Sequence, residues 1–335
     1  MNIDLLKRLV HCHSTPGEED EVIDLLAQEW SSHAGWQCQA LGRYAFLAGQ
    51  SAARKPSRGR ILICAHADSP GYIVDSLKDG YATVVPLGLP KFKDSQIRAV
   101  VKTRNDKIPV ILQKVSEGDS PEIFRFREHP GVRRGDRVAY AADFVLSHDN
   151  AFLSAPFLDN RAGCYLLCEL VASLPAVTPC QVFVGVTSAE EFTGFGASVL
   201  ARHLDADLVI CLDTTYASEA QDVALQNGPV LTLSDKSVLV SSKVEGALHE
   251  YCQKWGVPLQ TEVYNFSGTD AKAFPMAGSL APVLPLLIPS DGNHSPLETI
   301  AVRDLEQTLF LLQKLCLDKE ALPLLKKAFT WSFRA

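Results

Sequence analysis

The sequence predicts an α/β protein: a mostly parallel sheet flanked by helices, interrupted by a small inserted β-barrel-like domain. Three observations carry this reading. Apolar runs such as "ILICAH" and "VFVGV" alternate with stretches of helical length, both before residue 71 and after Pro156. Between Gly71 and Phe152 the pattern changes to brief β-rich runs broken by Gly, Pro, Asn and Asp. Finally, the residues best suited to chemistry fall where the apolar runs end, the edge at which open α/β sheets bind ligands.

In chain order, "MNIDLLKRLVHCH" has the periodicity of an amphipathic helix. It has an acidic residue at Asp4 and lacks the basic start and apolar centre of a signal peptide. A second helix is expected over Asp20 to Trp30, followed by short buried strands in "YAFLAG" and "GRILICAHAD". The insertion reads as "GYIVDSL", "YATVVPL", "IRAVVKT", "KIPVILQKV", "EIFRFRE" and "DRVAYAADFVL". Beyond it, helices are expected at Arg161 to Leu174, Phe192 to His203, Val240 to Trp255 and Val302 to Leu317. Strands at Val182 to Val186, Asp207 to Leu212, Gln260 to Tyr264 and Ala281 to Leu287 lie between them. Residues 1–70 and 153–335 then form one catalytic body, with 71–152 inserted into it.

A chain of 335 residues, 47% hydrophobic and 21% charged, is long enough for one large domain or two. Its net charge of -7, with no Lys/Arg block, excludes a footprint for nucleic acid or an anionic membrane. No apolar run approaches the roughly 18 residues of a membrane span. The nine cysteines are scattered and form no C-x-x-C, which reads as buried reduced thiols in a cytoplasmic protein.

Candidate site residues cluster at strand ends. "ILICAHAD" runs out to His66 and Asp68, "VFVGVTSAEE" to Glu190 and Glu191, "LVICLD" to Asp213, and "VLPLLIPSDGNHS" to His294. Asp159 of "FLDNRAG" immediately precedes a helix. Each has an ordinary reading: an N-cap for Asp159, a favourable macrodipole for the paired Glu, a core histidine, a turn aspartate. Their coincidence at one sheet edge argues otherwise, because carboxylates gathered there repel unless cations hold them. Such an N/O donor set suits zinc, cobalt or manganese.

"AHADSPGYIV", "FLDNRAG", "TSAEEFTGFGA", "CLDTT", "SGTDAKAF" and "IPSDGNHS", in this order, resemble metallopeptidase family 42 over nearly the whole chain. This family contains glutamyl-type and tetrahedral aminopeptidases, some once called endoglucanases. The resemblance implies a di-zinc peptidase-like fold with an inserted β-barrel-like domain that takes part in self-association, in homo-oligomers built from dimers. It also implies two divalent metal ions, zinc or cobalt. Asp159 would bridge them, His66 and Asp213 completing one site and Glu191 and His294 the other. Glu190 would be the general base for a metal-bridged water, and Asp68 would hydrogen-bond the second ring nitrogen of His66. The peptide bond after Asp159 would be cis.

The implied activity is removal of N-terminal residues from short peptides. A di-metal deacylase or dipeptidase is a related alternative, and a metal-binding scaffold without turnover is a rival that gives Glu190 no purpose. A glycosidase could use paired carboxylates but leaves the histidines without a role. The sequence departs from the family's frequent Asp-Asp-Arg at Asp159-Asn160-Arg161. Ser69 stands where an acid often follows His-x-Asp, and Ser290-Asp291-Gly292-Asn293 where Arg-Tyr usually precedes the last His.

Overall fold

A computed structural model describes residues 1–51, 58–115 and 122–331. Helices α1 (Ile3–His11) and α2 (Asp20–Ser31) lead into β1 (Trp36–Leu41), β2 (Ala45–Gln50) and β3 (Arg60–His66). The next strands are β4 (Gly71–Lys78), β5 (Tyr81–Leu87), β6 (Gln96–Lys102), β7 (Lys107–Val115), β8 (Ile123–Arg127) and β9 (Arg137–Tyr140). Strands β10 (Val145–Leu146) and β11 (Phe152–Ala155) are followed by α3 (Leu158–Ser173), β12 (Gln181–Thr187), α4 (Phe195–His203) and β13 (Leu208–Tyr216). Then come β14 (Val230–Ser234), α5 (Ser242–Trp255), β15 (Gln260–Val263) and α6 (Ala273–Met276). The chain closes with β16 (Val283–Asp291), β17 (Glu298–Ala301), α7 (Val302–Leu317) and α8 (Ala321–Phe329).

The architecture is α/β, with a large sheet between helices and a separate closed barrel. The 11-stranded sheet runs β1-β2-β12-β3-β13-β16-β17-β11-β10, with β14 and β15 attached beside β16. Its centre, β12-β3-β13-β16, is parallel, while β1, β2, β17, β11 and β10 are antiparallel margins. Central strands are buried along nearly their whole length, as "ILICAH" and "LVICLDTT" require. Register aligns Thr187 with His66, so the strand ends that carry the candidate site residues form one edge.

One face of the sheet packs against α1, α2, α3, α5, α7 and α8. The other is covered through Leu200 of α4 and Phe274 of α6. Helix α3 lies so deep that almost every residue from Leu158 to Val171 is buried, Asp159, Asn160 and Arg161 included. The barrel closes in the order β4-β5-β8-β7-β6-β9 around Tyr72, Val74, Val101, Phe126 and Val138. Closure removes its free strand edges.

Among the described residues, β1, β11, β14, α6, β17 and α8 lie outside the elements expected from sequence. β1, "WQCQAL", is an edge strand with few buried side chains and therefore little apolar pattern. α8, "ALPLLKKAF", carries Pro323 in its first turn, where a proline lacks no needed donor. α4 starts at Phe195, later than expected, because Gly194 adopts a left-handed conformation (φ 66°) just before it. No helix among the described residues is long and apolar enough to cross a membrane.

Two glycines test the packing. A Cβ at Gly196 would sit 2.5 Å from the backbone oxygens of both Ser188 and Tyr44, whereas one at Gly246 in α5 meets nothing within 4 Å. Gly196→Ala is expected to destabilise the protein by about 1–3 kcal/mol in urea denaturation. Gly246→Ala should stabilise it by about 0.5–1 kcal/mol.

Candidate metal centre

β3 delivers His66 at its last position, and the turn after it delivers Asp68. His66 is buried, with Nε2 3.1 Å from Asp159 Oδ1 and 3.3 Å from Asp213 Oδ1. On the other side of Asp159, His294 Nε2 lies 3.5 Å from Oδ2 and 3.3 Å from Glu191 Oε1. Each oxygen of Asp159 therefore faces a different imidazole. The ligand atoms of His66, Asp159 and Asp213 lie within 4.8 Å of one another, as do those of Asp159, Glu191 and His294. A third group at the same spacing joins His66, Glu190 and Glu191. The peptide bond between Asp159 and Asn160 is cis.

The donor set fits divalent cations. Asp159 Oδ1 and Glu191 Oε1 are buried and accept no hydrogen bond from the protein, a costly state for a carboxylate unless a cation completes it. Each imidazole has its other nitrogen engaged: His66 Nδ1 is 3.0 Å from the Asp68 carbonyl, and His294 Nδ1 3.2 Å from the Leu89 carbonyl. Nδ1–H donation to those carbonyls leaves Nε2 as the free donor atom for a metal.

Electrostatics tell the same story. Burial works against a charged His66, but Asp213 and Asp159 override it and raise its pKa well above the ordinary value. His294 is raised likewise, with Glu191 and Asp159 outweighing its burial. Burial pushes Glu190 well above the usual carboxylate range, and Asp213 up to about 7. Among these groups Asp159 alone is lowered: burial works against its charge, but the two imidazoles facing its oxygens, those of His294 and His66, outweigh it. Too many acids share this space for all of them to carry charge without positive charge among them.

Asp68 occupies a different place from the one expected. Its carboxylate is 3.7 Å from His66 Nδ1, so the ring bond falls to its backbone carbonyl. The carboxylate itself accepts the N–H groups of Glu190 at 3.0 Å and Glu191 at 3.1 Å. Fully buried, it fixes the turn on which both glutamates sit. The departures from the family pattern also find partners. Asn160 donates to the Leu212 carbonyl, and Ser69 donates to the Asp159 carbonyl. Asn293 reaches Thr214 Oγ1 at 2.6 Å and Asp159 Oδ2 at 3.5 Å.

Sequence reasoning missed Glu298. This buried side chain accepts the Asp159 N–H on Oε2 and the His294 N–H on Oε1, both at 2.8 Å. It clamps the backbones of the two residues that would meet at one ion. Its signal was a lone acid in "SPLETIAV", just past the last motif residue considered. The insertion was also missed as a contributor: beyond Leu89, the Lys91 N–H donates to the His294 carbonyl at 2.9 Å.

A deep cleft of about 860 Å³ opens onto these residues. Its rim carries exposed Leu89, Phe192, Phe195, Phe266 and Met276.

Fold and site together define a metallohydrolase with its centre at the carboxyl edge of a parallel sheet. The sequence pattern of M42 glutamyl aminopeptidases matches residues 127–311, more than half of the chain. The chain belongs to this family and is a hydrolase acting on peptides. It is similar to the FrvX protein of Escherichia coli, at 27% identity over 93% of this chain and 94% of that one. The TET aminopeptidase of a marine-sediment Thaumarchaeota archaeon has the same fold, with a TM-score of 0.86 at 23% identity, covering 98% of this chain and 99% of its own. The TET1 peptidase of Pyrococcus horikoshii, which can assemble into a tetrahedron or a large octahedral shell, gives a TM-score of 0.81 at 22% identity, covering 94% and 99%.

Glu298→Gln keeps one acceptor and turns a donor toward a donor. It is expected to weaken metal binding about 10- to 100-fold in calorimetric titration, with an unaltered circular dichroism spectrum. Unchanged affinity would show that the clamp does not set the ligand geometry.

Proposed function

We propose that this protein is a metal-dependent aminopeptidase that removes N-terminal residues from short peptides. The observation that carries the reading is the placement of Asp159, one oxygen toward His66 and the other toward His294, with Glu190 beside them. His66, Asp159 and Asp213 would hold one divalent cation, and Asp159, Glu191 and His294 a second, zinc or cobalt by the chemistry of the donors. Such cations would supply Lewis acidity to the scissile carbonyl and would lower the pKa of a water.

The remaining work falls to the protein. Glu190 lies outside both ligand sets that share Asp159, so its carboxylate is left to accept the proton of the attacking water. Burial raises its proton affinity well above that of an ordinary glutamate, which suits a base that must hold the proton and pass it to the leaving amine. Glu191 supplies negative charge to the metals. Asp68, by gripping both backbone N–H groups, keeps the two side chains in these separate roles.

In the same reading, residues 1–70 and 153–335 are the catalytic body, and 71–152 mediate assembly of a cytoplasmic homo-oligomer built from dimers. Exposed Val85, Ile111 and Ile123 on the barrel strands β5, β7 and β8 support this. Because the barrel is closed, association would run through such side chains rather than by strand pairing. Nine free cysteines suit a reducing compartment.

Release of a chromogenic amine from aminoacyl substrates, in the presence of zinc, cobalt or manganese, tests the activity. Cleavage of N-acyl amino acids alone would move the reading to a deacylase. Glu190→Gln should bind metal normally, yet lose about 10²- to 10⁴-fold in kcat at any metal concentration. Glu191→Gln should bind less metal, by mass spectrometry, and recover part of its turnover when metal is added. Rescue of the first variant instead of the second would reverse the two roles.

A further inference from the structure

The acidic side chains at this edge can be followed oxygen by oxygen. Asp159, Glu191 and Asp213 belong to the ligand groups, and Glu190 lies with His66 and Glu191. Asp68 and Glu298 each give both oxygens to backbone N–H groups. Asp270 belongs to none of the metal-ligand groups formed by the described residues.

Asp270 opens a short 3-10 turn, Asp270–Lys272, whose start is capped by the Thr269 side chain. Only 6% exposed, it nevertheless lines the cleft. Its Oδ2 accepts the Thr187 hydroxyl, at the end of β12 and in register with His66. Its Oδ1 is buried and has no hydrogen-bond partner among the described residues. No lysine or arginine among the described residues forms an ion pair with it, and burial raises its pKa to about 6. An unpaired buried carboxylate oxygen is expensive to keep, so its place on the cleft wall calls for a cationic donor from outside the protein.

We propose that Asp270 accepts the terminal ammonium of the substrate and so selects peptides with a free amino terminus. The assignment rests on the peptidase reading of the neighbouring residues and deepens it. An α-ammonium has a pKa of about 7.7–8.0 and is charged at neutral pH; one of its N–H groups would complete Oδ1 in a charge-assisted hydrogen bond. An N-acylated peptide brings no positive charge and can offer Oδ1 at most one neutral N–H, so the site's own chemistry disfavours it.

The test removes the ammonium and the carboxylate separately and together. Leucyl anilide, chosen for the apolar rim, is compared with its 2-hydroxy analogue in the metal-loaded wild type and in Asp270→Asn. Wild type is expected to favour the amine about 10- to 100-fold in kcat/KM. Asp270→Asn should lose most of that preference while hardly changing the rate on the hydroxy analogue, with metal content intact by mass spectrometry. The same preference, read without turnover, comes from calorimetric binding of leucinamide and 2-hydroxy-4-methylpentanamide to Glu190→Gln with and without Asp270→Asn. An equal loss on both compounds means that Asp270 acts only through the fold or through Glu190, and overturns the proposal, as does an unchanged preference. If wild type cleaves no aminoacyl substrate while the binding preference still depends on Asp270, the ammonium site stands and the peptidase reading falls.

Discussion

The constraint on which the rest of the structure depends is the crowding of carboxylates at the carboxyl edge of the central strands. Asp68, Asp159, Asp213, Asp270 and Glu298 are buried there, and Glu190 and Glu191 are only partly exposed. Two like charges 4 Å apart repel by about 4 kcal/mol at an effective dielectric constant near 20. A few such pairs would exceed the roughly 5–15 kcal/mol that holds a domain together. The edge is therefore stable only with positive charge in it. His66 and His294 can bring protons, and metals bring more. Arg161, wholly buried close by, adds a favourable charge near Asp68 and Glu298 but pairs with neither directly: its guanidinium donates to the carbonyls of Leu9, Ala67 and Cys12. Two of these lie at the C-terminal end of α1, where the helix dipole already favours a cation.

Repulsion alone would scatter the acids, so the backbone must hold them. Consecutive N–H groups of Ala189, Glu190 and Glu191 point to carboxylates, the first to Glu19 at 3.1 Å and the others to Asp68. Ala189 has a φ of 56°, the left-handed turn that brings these donors to one side. Such a concavity ordinarily binds an external anion. Here the protein fills it with its own side chains, so Glu190 and Glu191 extend the opposite way, toward the imidazoles. Glu298 does the same for Asp159 and His294. The acids thus divide into those that grip backbone and those that face the cleft.

That division decided what could be read from the sequence. Buried parallel strands announce themselves as continuous apolar runs, so β3, β12, β13 and β16 and the polar residues beyond them were legible. The contrast between helix-spaced strands and the dense β runs from Gly71 made the inserted barrel legible too. Edge strands with polar faces, such as β1, carry no comparable pattern. The candidate ligands were visible because most of them sit where apolar strands end, whereas Glu298 faces only backbone N–H groups, those of His294 and the distant Asp159, which leave no mark in the sequence. For Asp68 the residue was found and the partner misjudged: spacing from His66 placed it next to the ring, but only the folded turn of Ala189 decides which way its carboxylate points.

The segment linking β5 to β6 shows why the insertion cannot be treated as a separate attachment. Its Leu89 carbonyl orients the His294 ring, its Lys91 N–H fixes the His294 carbonyl, and Gly88, at φ 75°, would bring a Cβ within 3.3 Å of Glu191. His294 itself takes a left-handed φ of 68°, which needs support from outside its own turn. That support comes from the insertion on one side and Glu298 on the other. One half of the candidate centre, His66 with Asp213, sits on the central strands β3 and β13, with the Asp68 carbonyl of the following turn engaging the His66 ring. The other half, Glu191 with His294, is braced by the insertion. Any rearrangement of the barrel against the body, including one imposed by assembly, would therefore reach the second half first.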